Sequence, residues 1–166
     1  DADGLDYSKM YFKDRHKENP EETADYLNAP FTKEQYEHFI TEIQNAQTVP
    51  PKDFEDPVYF EHCLPIDVMA ERGLETARFS CMRPIGLSES AEGVRPYAVV
   101  QLRRENLPGT AFNLVGLQTR LTYKEQLRIF RMIPGLENAQ FIHLGSLHRN
   151  SFLNAKSLLN VDLSLK

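Results

Sequence analysis

Apolar residues recur at helical spacing in three stretches of the chain. In the first, Tyr36, Phe39, Ile40 and Ile43 form one stripe behind Thr32, whose hydroxyl can cap a helix with Gln35 at the reciprocal position. Val49-Pro50-Pro51 stops it. In the second, Thr122 with Glu125 caps a helix burying Leu127, Phe130 and Ile133, ended by Pro134-Gly135. The third is short: Pro65 at the first helical position, Ile66, Met69 and Ala70 on one face, Gly73 as the left-handed stop. Alternation marks the strands. Pro96–Arg103 predicts Ala98, Val100 and Leu102 inward with Gln101 and Arg103 outward, either as ligand contacts or as the ordinary solvent-facing residues of a one-sided sheet. Asn106–Gly109 is a turn and Thr110–Leu117 a returning strand, hence an antiparallel hairpin. Further strands are predicted at Leu74–Ser80, Ala139–Leu144 and, at an edge, Leu158–Leu165, with a short extended segment around Tyr7–Phe12. Leu27–Pro30 reads as the lead into the first helix, and Cys81–Gly86 and Ser88–Gly93 as loops. The fold class expected is α+β, a mainly antiparallel sheet flanked by about three helices.

The 166 residues suit one domain with a proper core. Residues 1–24 read as a polar, partly mobile segment around Lys17–Glu22, and residues 25–166 as the domain. No apolar run is long enough to span a membrane, and two cysteines make no disulfide framework, so a cytoplasmic setting is expected. The chain opens on Asp1 rather than Met, which suggests a piece of a longer protein. The net charge of −5 conceals an asymmetry. Residues 1–71 carry 6 Lys/Arg against 17 Asp/Glu, a balance of −11, and residues 72–166 carry 13 against 7, a balance of +6. Ten of those 13 cations are Arg, the side chain that forks onto phosphate and stacks on bases. A polyanionic partner for the C-terminal half stands beside the plainer reading of a solvated mixed-charge surface.

Chemistry narrows to one residue. Cys63 lies just ahead of the third helix, where unpaired amides and the macrodipole favour a thiolate; an inert, packed cysteine is the plainer alternative. The chain has no CxxC, no metal-binding His pair, no G-x-G-x-x-G and no Walker loop, so neither a metal nor a nucleotide fold of its own is expected. His62 is adjacent to Cys63, but neighbours in sequence seldom meet as nucleophile and base, so the partners of Cys63 are expected elsewhere.

The stretch Phe60-Glu61-His62-Cys63-Leu64-Pro65-Ile66-Asp67-Val68-Met69-Ala70-Glu71-Arg72-Gly73 resembles the folate- and flavin-dependent tRNA (uracil-5-)-methyltransferases, the TrmFO family. Asp25–Pro30, Met82–Leu87, Arg95–Arg103, Asn113–Thr119, Ile133–Asn138 and His148-Arg149-Asn150 resemble further family motifs, all in the same order. The resemblance implies an insertion domain interrupting a Rossmann-type FAD-binding domain that lies outside this chain. It implies an enzyme that uses 5,10-methylenetetrahydrofolate, FAD and NAD(P)H to form 5-methyluridine at uridine 54 of the tRNA T-loop. Of the family's two working cysteines it assigns one to Cys63, as nucleophile or base, and leaves Cys81 structural. Arg83, Arg95, Arg103, His148, Arg149 and Asn150 become the candidate substrate contacts, the arginines to phosphates of the tRNA T-arm or to folate carboxylates. His62 replaces the usual Gly and Ala29 the usual Cys. The alternative function is a non-catalytic RNA-binding or docking module.

Overall fold

The computed structural model describes residues 1–15, 24–50, 64–87, 95–146, 155–162 and 164–166. Cys63, His148, Arg149 and Asn150, with the Lys17–Glu22 and Ser88–Gly93 segments, lie outside the described residues. A four-stranded sheet runs in the order β1 (Tyr11–Phe12), β2 (Tyr26–Phe31), β3 (Ala98–Arg104), β4 (Phe112–Leu114), every pair antiparallel. The helices are α1 (Lys33–Gln44), α2 (Ile66–Arg72), α3 (Tyr123–Phe130) and the single turn α4 (Ala155–Leu158). The α+β class and the β3–β4 hairpin are as the sequence predicts.

Helix α1 begins as its capping box dictates. Thr32 Oγ1 accepts the Gln35 N–H at 3.2 Å, and Gln35 Oε1 accepts the Thr32 N–H at 2.9 Å. Its stripe Tyr36, Phe39, Ile40 and Ile43 is fully buried against β2, α2 and α3. Each such side chain contributes about 1.5–3 kcal/mol of apolar burial. The helix stops at Asn45, ahead of the prolines, where the Asn45 N–H is shared between Thr41 O and Ile43 O and the Asn45 side-chain amide caps Thr41 O at 2.8 Å.

One face of the sheet carries Leu27, Ala29, Phe31, Ala98, Val100 and Leu102 into the main core with α1, α2 and α3. The other face carries Asn28, Gln101 and Val99, and it is also covered. Met82 O accepts the Val99 N–H at 3.0 Å, and the Tyr11 hydroxyl donates to Leu87 O. Strand β2 tolerates Pro30 because the Val99 N–H opposite it turns to Met82 and β1 ends before reaching Pro30.

Several expectations fail for identifiable reasons. Leu74–Ser80 is not a strand but a turn leading into a 3-10 turn at Ala77–Phe79, tied down where Tyr36 Oη donates to Leu74 O at 2.8 Å and accepts the Arg78 N–H at 3.0 Å. Ala139–Leu144 forms no strand: the Ala139 N–H turns back onto Leu136 O, and the Gln140 carbonyl is taken by Asp1 N. Leu158–Leu165 folds back on itself through α4 and a Leu159–Leu165 bridge. In α3 the buried residues are Gln126, Ile129 and Phe130; Leu127 is half-buried, and Ile133 is buried beyond the helix end. Two hydrogen bonds tie the N-terminus to the 135–140 turn: Asp1 N donates to Gln140 O at 2.9 Å, and Asp6 N to Gly135 O at 2.9 Å.

Candidate functional site

Helix α2 follows directly from Leu64-Pro65, the residues that continue the chain from Cys63. Pro65 is the N-cap, with extended ψ and no side-chain cap, so the helix starts one residue later than its sequence suggests. Gly73, at φ 152°, ends it in a conformation that disfavours side chains. All of Ile66–Ala70 is buried, Asp67 included. The helix is therefore a structural insert rather than an amphipathic surface turn.

Its attachment comes from Gln118-Thr119-Arg120, at and just beyond the end of the Asn113–Thr119 stretch. Gln118 O accepts the Ile66 N–H at 2.7 Å, so this first-turn amide is already committed and does not bear on a thiolate. Asp67 Oδ1 accepts Thr119 Oγ1–H at 3.1 Å and the Arg120 N–H at 2.9 Å, while Arg120 Nε donates to Asp67 Oδ2 at 2.5 Å. Arg120 Nη2 also reaches Glu71 at 2.9 Å. Gln44 of α1 donates to Ala70 O at 2.7 Å and secures the far end.

The Met82–Leu87 loop meets the same region. Gly116 sits at φ +73°, and a Cβ added there would lie 2.8 Å from Cys81 Cβ. The Cys81 sulfur rests 3.8 Å from Met69 Sδ of α2, and burial pushes its pKa up to about 12. A thiol so placed stays protonated, which agrees with a structural Cys81. On the other side Arg15 gathers the loop: its guanidinium donates to Ile85 O at 2.5 Å, Arg83 O at 3.0 Å and Gln101 Oε1 at 3.2 Å. Burial, then the neighbouring Arg83 charge, lowers the Arg15 pKa.

Gln101 is therefore not an outward ligand group. It is buried, and its Nε2 donates to Asn28 Oδ1 at 3.0 Å, while Asn28 Nδ2 donates to Tyr11 O and Lys13 O. Period-two patterning misses this because polar residues on a second covered face look like solvent-facing ones. Arg15, Asp67 and Arg120 were not singled out from the sequence; a carboxylate between Ile66 and Val68 on a short apolar helix was the only available signal.

The arginines divide into two groups. Arg78 stacks 4.2 Å over Tyr97 and pairs with Glu75, Arg120 with Asp67 and Glu71, and Arg128 with Glu42 and Glu125; Arg131 donates to Ala139 O. Arg83, Arg95 and Arg103 are exposed, and no ion pair among the described residues engages them. Arg103 and Gln101 share a face of β3 two residues apart, and Arg15 bonds both Gln101 and the Arg83 carbonyl. The described geometry thus relates Arg83 to the Arg103 strand and leaves Arg95 three residues ahead of that strand. Among the described residues no group of three His, Cys, Asp or Glu gathers as a metal site, and no helix is long and apolar enough to cross a membrane.

All of residues 1–166 match a protein-family model described as glucose inhibited division protein A. A protein from Bdellovibrio bacteriovorus named methylenetetrahydrofolate–tRNA-(uracil-5-)-methyltransferase TrmFO is 53% identical over 166 residues, 100% of this chain and 37% of that protein. Proteins of the same name from Geobacter sp. strain M21 and Bartonella tribocorum are 54% and 52% identical, over 99% of this chain and 38% and 35% of theirs. The chain thus spans little more than a third of the length of these relatives.

Proposed function

The chain belongs to the glucose inhibited division protein A family, and we propose that it is the insertion domain of a methylenetetrahydrofolate-dependent tRNA (uracil-5-)-methyltransferase. The observation that carries this reading is identity of 50% or more, across essentially the whole chain, to proteins of that name. The geometry supports it. The stretches Leu64–Gly73, Cys81–Leu87 and Asn113–Thr119, far apart in sequence, pack on one another around α2.

In this reading Cys63 works at the uracil ring, as nucleophile or base, on a base drawn out of the T-loop. The chain's own residues hold the entry to α2 rigid and present Arg83, Arg95 and Arg103 to phosphate; His148, Arg149 and Asn150 are further T-arm contacts. The described sheet is antiparallel throughout, and the sequence has no glycine-rich phosphate loop, so these residues do not fit as the holder of FAD. FAD, NAD(P)H and 5,10-methylenetetrahydrofolate are assigned to the rest of the polypeptide, and an isolated chain is expected to be inactive.

The test is methyl transfer to a T-arm hairpin by the full-length polypeptide supplied with methylenetetrahydrofolate, FAD and NAD(P)H. Formation of 5-methyluridine is the expected result. Tight hairpin binding with no methyl transfer overturns the reading in favour of a non-catalytic RNA-binding module.

A further inference from the structure

Resting on that reading, we infer that Asp67 is a positioning residue for the reaction: with Thr119 and Arg120 it fixes the start of α2, and so the course of the chain that leaves Cys63. In the sequence Leu64 and Pro65 separate Cys63 from the helix, and Leu64 is buried. Pro65 gives α2 no side-chain cap, and seven residues make a helix that does not hold itself in place. Its position is set instead by tertiary bonds concentrated at the first turn. Three end on the Asp67 carboxylate, from Thr119 Oγ1, Arg120 N and Arg120 Nε, and a fourth runs from Ile66 N to Gln118 O.

The Gln118–Leu121 segment that supplies these bonds is braced in turn. Val49 N donates to Arg120 O at 2.7 Å, Leu121 N donates to Thr119 Oγ1 at 3.0 Å, and Thr48 and Leu121 form a bridge. An acid at the second helical position commonly serves its own helix's amides. Here it faces another segment, and its exposure is only 2%. A carboxylate so deeply placed is costly unless fully bonded, and apolar packing would join two segments at less cost. What bonds of defined length and direction add is geometric definition, and here they give it at the residues leading from Cys63.

The experiment uses the full-length polypeptide and measures kcat and KM for a T-arm hairpin, bound flavin from its absorbance, and the rate of Cys63 alkylation by iodoacetamide. Asp67→Asn keeps the side chain's shape but loses the charge facing Arg120. Expected is a kcat at least tenfold lower, with hairpin KM within about threefold and full flavin content, and recovery of most of kcat in Asp67→Glu. Thr119→Val, which removes one bond and leaves the charge pair, is expected to give a smaller fall in kcat and an altered alkylation rate. The inference is overturned if Asp67→Asn retains kcat. It is equally overturned if kcat, KM and flavin content decline together in Asp67→Asn and Thr119→Val, as general loss of folding requires. Cys63→Ala keeps the two questions apart: activity in that variant refutes the catalytic reading itself, whereas its inactivity beside an active Asp67→Asn refutes positioning alone.

Discussion

Gly116→Ala tests whether the loop at Cys81 and the turn after β4 are packed as tightly as the structure has them. Two costs arise there. Gly116 lies at φ +73°, where an L-residue pays about 1–2 kcal/mol. The new Cβ would also stand 2.8 Å from Cys81 Cβ, a distance that forces the neighbour to move. Overpacking of this kind costs about 1–3 kcal/mol. Together they predict a destabilisation of about 2–5 kcal/mol, or a Tm lower by roughly 4–20 °C for a chain of this size. The assay is urea and thermal unfolding of wild type, Gly116→Ala, Cys81→Gly and the double variant. Cys81→Gly removes the clashing Cβ and leaves Cys81 Cα at 3.8 Å, an ordinary contact. In that background Gly116→Ala should cost only its backbone part, about 1–2 kcal/mol. An equal cost in both backgrounds, or one below about 0.5 kcal/mol in wild type, refutes the packing argument.

Cys81 should resist alkylating reagents at neutral pH, read by mass spectrometry of the native chain. Because burial raises its folded pKa from 9.0 to about 12, its contribution to stability is complete below pH 9 and is lost as the pH climbs towards 12. Cys81→Ala should remove that alkaline component from the unfolding midpoint measured against pH. Among the arginines, Arg103→Ala and Arg83→Ala should weaken T-arm binding and each reduce the salt slope by about one unit, read by titration at several salt concentrations. Arg128→Ala, which removes a side chain already paired with Glu42 and Glu125, should leave both unchanged.

What the sequence makes legible is what is local. The Thr32–Gln35 box and the Tyr36–Ile43 stripe define α1 without reference to anything else, and the Asn106–Gly109 turn defines the β3–β4 hairpin. Strand β2 was hidden because Asn28 and Pro30 are poor strand residues. Asn28 is accepted there because Tyr11, Lys13 and Gln101 satisfy its amide, and those partners lie up to 73 positions away. Leu74–Ser80 alternates like a strand but is bent by the Tyr36 hydroxyl, a tertiary bond no window reveals. At the candidate site the order of motifs was readable, but the bonds joining them were not. Nothing in the spacing of Asp67 and Arg120 says that they meet at 2.5 Å. Nor does the sequence show that the Ile66 N–H, a first-turn amide of α2, is taken by Gln118 O.

The central claim is that Cys63 acts chemically on a uridine. Its most direct test transfers isotopically labelled methylene from methylenetetrahydrofolate to a T-arm hairpin, using full-length wild type and Cys63→Ala matched for flavin content and hairpin affinity. Labelled 5-methyluridine is expected with wild type and none above background with Cys63→Ala. Labelling by Cys63→Ala at the wild-type rate contradicts it.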